Sequence, residues 1–132
     1  MIRNKVESEL NRRSERVSEE DVRRTADRTE DFDTFLTRAP ALLVDFAARA
    51  RLFFEMLMDY ASGRYTGLPW RTVAILTATV MYLLNPLDFI PDFIFFFGLL
   101  DDAALLYAAM RLIKADLIDY IRFKGYDEDY FF

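Results

Sequence analysis

Four aspartates, Asp88, Asp92, Asp101 and Asp102, fall within NPLDFIPDFIFFFGLLDD, an apolar stretch from Asn85 to Asp102 that contains no Lys, Arg or His. Three kinds of chemistry fit such a set. The acids can cap helices, because Asp88 follows Asn85 by three residues and Asp101 and Asp102 fall in the first turn of a following helix, where the macrodipole favours negative charge. In that reading Asp92 accepts hydrogen bonds from loop amides, and Arg71 or Arg111 serves as an ion partner. The acids can instead share a cation: oxygen ligands without His or Cys suit Mg²⁺, Ca²⁺ or Mn²⁺, and a bound ion lowers the cost of clustering like charges. A carboxyl of raised pKa, working in proton or cation movement or as an acid/base pair, is the third. Asp88, Asp92, Asp101 and Asp102 are therefore the candidate metal ligands, with no EF-hand or other fixed ligand spacing to support them.

The rest of the composition narrows the function. The chain of 132 residues has no cysteine and no histidine, which removes disulfides, thiolate metal sites and the commonest general base. A net charge of −5 offers no basic footprint, so no nucleic-acid partner is expected. Charge is also unevenly placed: residues 72–110 hold four acids and no basic residue, while the flanking regions are nearly neutral.

Three segments follow. Residues 1–39 form a charged helical arm with a thin apolar stripe of Ile2, Val6, Leu10, Val17 and Val22, and Ser18 with Asp21 resembles a capping box that restarts a helix. The arm reads as exposed and, lacking a continuous apolar signal segment, as cytoplasmic. Residues 40–125 form the main helical domain, and residues 126–132, YDEDYFF, an exposed acidic and aromatic tail.

Within the domain, Leu43, Phe46, Ala50, Phe53 and Leu57 recur at helical spacing and define one apolar face over residues 41–62. Gly63, Gly67 and Pro69 make a loop, with Pro69 near the start of the next helix. TVAILTATVMYLLNPL, Thr72 to Leu87, is 16 residues without a charge. At about 1.5 Å per residue it reaches roughly 24 Å, short of the ~30 Å hydrocarbon core, so it is a marginal spanning candidate. Asn85-Pro86, Pro91 and Gly98 mark an irregular connection to a return helix running from near Asp101 to a C-cap at Gly125. Arg64 and Arg71 precede this unit and Arg111, Lys114, Arg122 and Lys124 follow it, which places both ends on the cytoplasmic side of the inner membrane. An unpaired aspartate crossing lipid would cost about 2.5–3.5 kcal/mol, so the four acids need compensation. Trp70, Tyr65 and Tyr82 are candidate interfacial anchors.

MYLLNPLDFIPDFIFFFGLLDDAALL resembles the signature of the YkvA-like family, small, largely bacterial domains of unknown function described as membrane-associated. Pro86 and Asp88, Ile90, Pro91 and Asp92, Gly98, and Asp101 with Asp102 match its pattern position by position. Where family members often carry another proline shortly before the glycine, this chain has Phe95. The resemblance is specific over residues 69–115 and implies fold and location without an activity.

The expected fold is all-α: a membrane-associated helical hairpin packed with one or two amphipathic helices, plus the charged arm. A wholly soluble bundle hiding the same surfaces is the competing architecture, since mean hydropathy is only +0.03. The expected function is a non-enzymatic accessory or scaffold protein whose partners are membrane lipid and another membrane protein or a second copy. The alternative is a carboxylate-dependent cation, proton or lipid-handling membrane protein using the four aspartates.

Overall fold

The computed structural model describes residues 2–38, 44–84 and 102–132, and every regular element among them is a helix. In chain order these are α1 (Ile2–Ser14), α2 (Glu19–Ala26), α3 (Thr29–Arg38), α4 (Val44–Ala61), α5 (Trp70–Leu84), α6 (Asp102–Leu112), α7 (Lys114–Lys124) and α8 (Glu128–Phe131). The all-α expectation holds.

Local chemistry sets several of the boundaries. Ser18 caps α2: its Oγ accepts from the Asp21 N–H at 3.2 Å while its own N–H donates to Asp21 Oδ2 at 3.0 Å, a complete capping box. The bond from the Ser18 backbone is the main reason the Asp21 carboxyl is held below the ordinary carboxylate range. Pro69 precedes α5 and its carbonyl accepts the Val73 N–H at 3.1 Å, so the residue without an N–H stands where a helix has no use for one. At the other end of the domain α7 closes on Gly125, whose φ of +76° is left-handed. Its N–H donates to the Arg122 carbonyl and the Tyr126 N–H to the Ile121 carbonyl, the paired bonds of a Schellman cap.

The core is organised around α5. Thr72 through Val80, with Tyr82 and Leu83, are all buried, so this helix is enclosed on every side, as its continuous apolar sequence requires. Helices α1, α2, α3, α4 and α6 all pack against it. The polar atoms of its interior threonines are satisfied within the helix: Thr77 and Thr79 hydroxyls donate to the Val73 and Ile75 carbonyls at 2.8 Å. At 15 residues α5 spans about 22 Å. No helix among the described residues is long and apolar enough to cross a membrane.

Three expectations are corrected. The N-terminal segment is not an exposed arm: Val6 (1% exposed), Leu10 (0%), Val22 (0%) and Phe32 (2%) lie in the core, and Phe32 stacks on Phe54 with ring centroids 4.4 Å apart. A thin apolar stripe suffices because α1 sets it against both α5 and α6, and α2 against both α4 and α5. The return helix is two helices, since Ile113 (φ −116°, ψ 23°) interrupts it and re-aims α7, whose Leu117, Tyr120 and Ile121 are buried. The tail is not wholly exposed either: Phe131 is buried, and its carbonyl accepts from Arg49 Nε at 3.0 Å.

Candidate functional site

Asp88, Asp92 and Asp101 lie outside the described residues, and Asp102 opens α6 with its side chain likewise outside them. Among the described residues no group of three or more acidic side chains is arranged to hold a metal ion. The two arginines expected as ion partners of these acids are engaged with α1: Arg71 Nη2 donates to Asn11 Oδ1 at 3.1 Å, and Arg111 Nε pairs with Glu7 Oε2 at 3.3 Å. Helices α5 and α6 pack side by side, and Thr72 at the start of α5 donates to Asp116 near the start of α7. The pair is thus antiparallel, and residues 85–101 connect the ends remote from the Thr72–Asp116 contact.

A second acidic centre was not foreseen. Asp59, 6% exposed on α4, receives three side-chain donors: Tyr120 Oη at 2.6 Å, Arg64 Nε at 3.0 Å and Lys124 Nζ at 3.3 Å. Its main-chain carbonyl accepts the Tyr65 N–H at 3.1 Å and the Ser62 hydroxyl at 3.3 Å, tying the loop after α4 to the same point. Tyr65 lies against Tyr120 edge-on at 5.0 Å.

Burial alone would push the Asp59 carboxyl up, but the bonds from Tyr120, Arg64 and Lys124 outweigh it and hold the carboxyl below its ordinary range. Burial first, and then the bond to Asp59, raise the Tyr120 phenol far above its usual value. The Lys124 ammonium is raised by its bond to the same carboxylate. Both members of the buried pair are thereby locked in their neutral-pH forms, which is the chemistry of a clamp between α4 and α7 rather than of proton transfer. One signal was present in the sequence: Asp59 follows Met56 by three residues and Phe53 by six, on the buried stripe of α4.

The aromatic anchors separate into classes. Tyr82 is core at 4% exposure, Tyr65 is partly buried against Tyr120, and Trp70 is 43% exposed. Exposed rings also include Tyr107, Phe123, Tyr126, Tyr130 and Phe132. The last three follow the α7 cap, where Tyr126 and Tyr130 join α4 in lining a cavity of about 380 Å³.

Comparison with known proteins gives two matches and one blank. Residues 72–108 match the family described as protein of unknown function (DUF1232). Over 72 residues the chain is 42% identical to the uncharacterized membrane protein YkvA of Bacillus subtilis (strain 168), an alignment covering 54% of this chain and 68% of that protein. No solved structure matches the chain.

Proposed function

Since this chain belongs to the YkvA-like family of proteins of unknown function, we propose that it is a non-enzymatic, membrane-associated accessory protein whose helical bundle stays on the cytoplasmic side of the inner membrane. Residues 85–101 supply its contact with lipid and with another membrane protein or a second copy. The observation that carries this reading is the enclosure of α5. A relative is called a membrane protein, yet the most apolar described helix spends its surface on the core.

The remaining apolar sequence is the connection between α5 and α6, with Phe89, Phe93, Phe95, Phe96 and Phe97 and no basic residue. Basic residues flank it on both sides in sequence, which agrees with both ends of the unit remaining cytoplasmic. A second reading, carried by the four acids of residues 72–110, makes the same segment a carboxylate-dependent cation, proton or lipid-handling element built on Asp88, Asp92, Asp101 and Asp102.

Vesicle flotation of the full chain tests the first reading. The wild type rises with phosphatidylglycerol/phosphatidylethanolamine vesicles, and the triple change Phe95→Ser, Phe96→Ser, Phe97→Ser leaves it at the bottom of the gradient with unchanged helical circular dichroism. Wild-type protein that stays at the bottom, or a triple variant that rises equally well, overturns the assignment of lipid contact to this segment.

A further inference from the structure

The cavity of about 380 Å³ between α4 and the C-terminal segment falls at the small end of the ~300–1,000 Å³ range of ligand sites. Ala48 and Leu52 of α4 line it together with the rings of Tyr126, Tyr130 and Phe131. The three rings are set at different angles. Tyr130 meets Phe131 at 5.1 Å and 81°, and Tyr126 meets Phe131 at 6.2 Å and 40°.

The wall is fastened from several directions. Arg49 holds the Phe131 carbonyl, Arg122 pairs with Glu128 at 3.1 Å, and Tyr126 Oη donates to Glu55 Oε2 at 2.9 Å. The charged lining is Glu55 and Asp127 against the exposed Arg51, a negative balance.

Aromatic faces carry negative potential and attract a positive charge placed over them, most strongly one too weakly hydrated to prefer water. An ionised carboxylate that already accepts one bond, as Glu55 does from Tyr126 and Asp127 Oδ1 does from the Asp129 N–H, keeps capacity for a further cationic neighbour. A hard metal ion wants six or more oxygen ligands, which two carboxylates beside three rings do not provide. An anion would meet two carboxylates with Arg51 as the one cation of the lining, since the neighbouring Arg49 and Lys124 are engaged with the Phe131 carbonyl and the Asp59 carboxylate. From this combination we propose that the cavity binds the alkylammonium group of a small organic cation, with Tyr126, Tyr130 and Phe131 as the aromatic wall and Glu55 and Asp127 as the charge complement. The proposal is independent of how residues 85–101 meet the membrane.

The test is an NMR titration of the full chain with choline, with 3,3-dimethylbutan-1-ol as its neutral isostere, and with hexanoate as an anionic probe. Choline gives saturable shifts of the Tyr126 and Tyr130 ring signals, at least five-fold tighter than the neutral alcohol, and hexanoate gives none. Tyr130→Ala weakens choline binding about five-fold while Tyr130→Phe, which keeps the ring, binds as the wild type does. Glu55→Gln weakens choline without affecting the alcohol. Equal affinity for choline and the alcohol would reduce the site to an apolar hole, saturable binding of hexanoate would assign it to anions through Arg51, and absence of saturation with choline would remove it. Because the isostere comparison is made on the wild type, it decides the matter even if Tyr130→Ala loosens the C-terminal segment.

Discussion

Replacing Tyr120 by phenylalanine deletes one oxygen atom from a side chain that is 0% exposed and leaves its ring in place. The lost interaction is a 2.6 Å hydrogen bond to the Asp59 carboxylate. Hydrogen bonds to charged groups contribute about 1.5–3 kcal/mol. Asp59 keeps its contacts to Arg64 and Lys124, whose side chains are 64% and 29% exposed and so screened by water, which places the expected loss near the middle of that range, about 2 kcal/mol. For a chain of this length each kcal/mol lowers Tm by roughly 4 °C, so Tyr120→Phe should unfold about 8 °C earlier.

Asp59→Asn should cost more, about 3 kcal/mol, because it replaces the ionised acceptor of three donors, the buried Tyr120 hydroxyl among them, and turns an amide N–H₂ toward donors. Its pH dependence has a definite sign. The folded carboxyl titrates below its unfolded value of about 3.9, so between the two values the unfolded chain binds more protons and stability rises with pH. The contribution is fully present above the unfolded value and is lost as pH falls through the lowered folded one. Thermal unfolding by circular dichroism from pH 7 to pH 2.5 should therefore show a gap between wild type and Asp59→Asn that is widest at pH 7 and narrows below about pH 4. A Tyr120→Phe shift under 2 °C, or a wild-type gap to Asp59→Asn that is flat with pH, would refute the clamp.

Three further outcomes test the architecture and the acids. Leu10→Ala, at a site of 0% exposure, should cost about 2–5 kcal/mol in chemical denaturation; a loss within 0.5 kcal/mol would return α1 to the status of a detached arm. Gly125→Ala should cost about 1–2 kcal/mol through its left-handed φ alone, since an added Cβ meets no atom within 4 Å, and Gly125→Asn should recover part of that. If Asp88, Asp92, Asp101 and Asp102 hold one cation, Mg²⁺, Ca²⁺ or Mn²⁺ at about 100 times its dissociation constant should stabilise the EDTA-treated protein by roughly 2.7 kcal/mol, and Asp88→Asn, Asp92→Asn and the Asp101→Asn/Asp102→Asn pair should each abolish the gain. Unequal losses with no ion effect would make them separate caps and pairs.

Much of the fold was legible because its signals are local. The capping box at Ser18 and Asp21, the loop ending in Pro69 and the left-handed stop at Gly125 each depend on a few consecutive residues, and all three stand where the sequence placed them. The signature of residues 85–102 identified the family for the same reason, being a contiguous pattern. Family membership carried no activity, however, and the four aspartates' structural context lies outside the described residues.

What tertiary structure alone decided is which surfaces meet. The apolar run of α5 reads alike whether lipid or protein surrounds it, because hydrophobic burial is non-directional. Only the packing of α1, α2, α3, α4 and α6 around it shows that protein does. The charged N-terminal segment looked detached because its stripe is narrow, yet a narrow stripe is enough when α1 lies against both α5 and α6 and α2 against both α4 and α5. Asp59 and Tyr120 are 61 positions apart, and neither a carboxyl on an apolar face nor a tyrosine near the end of a helix announces its partner. Their pairing, and the cavity lined by α4 and the C-terminal rings, arise from the way the chain returns on itself. Sequence determined the local caps, the loop at Pro69 and the family; packing decided where the return helix breaks and which helices enclose α5.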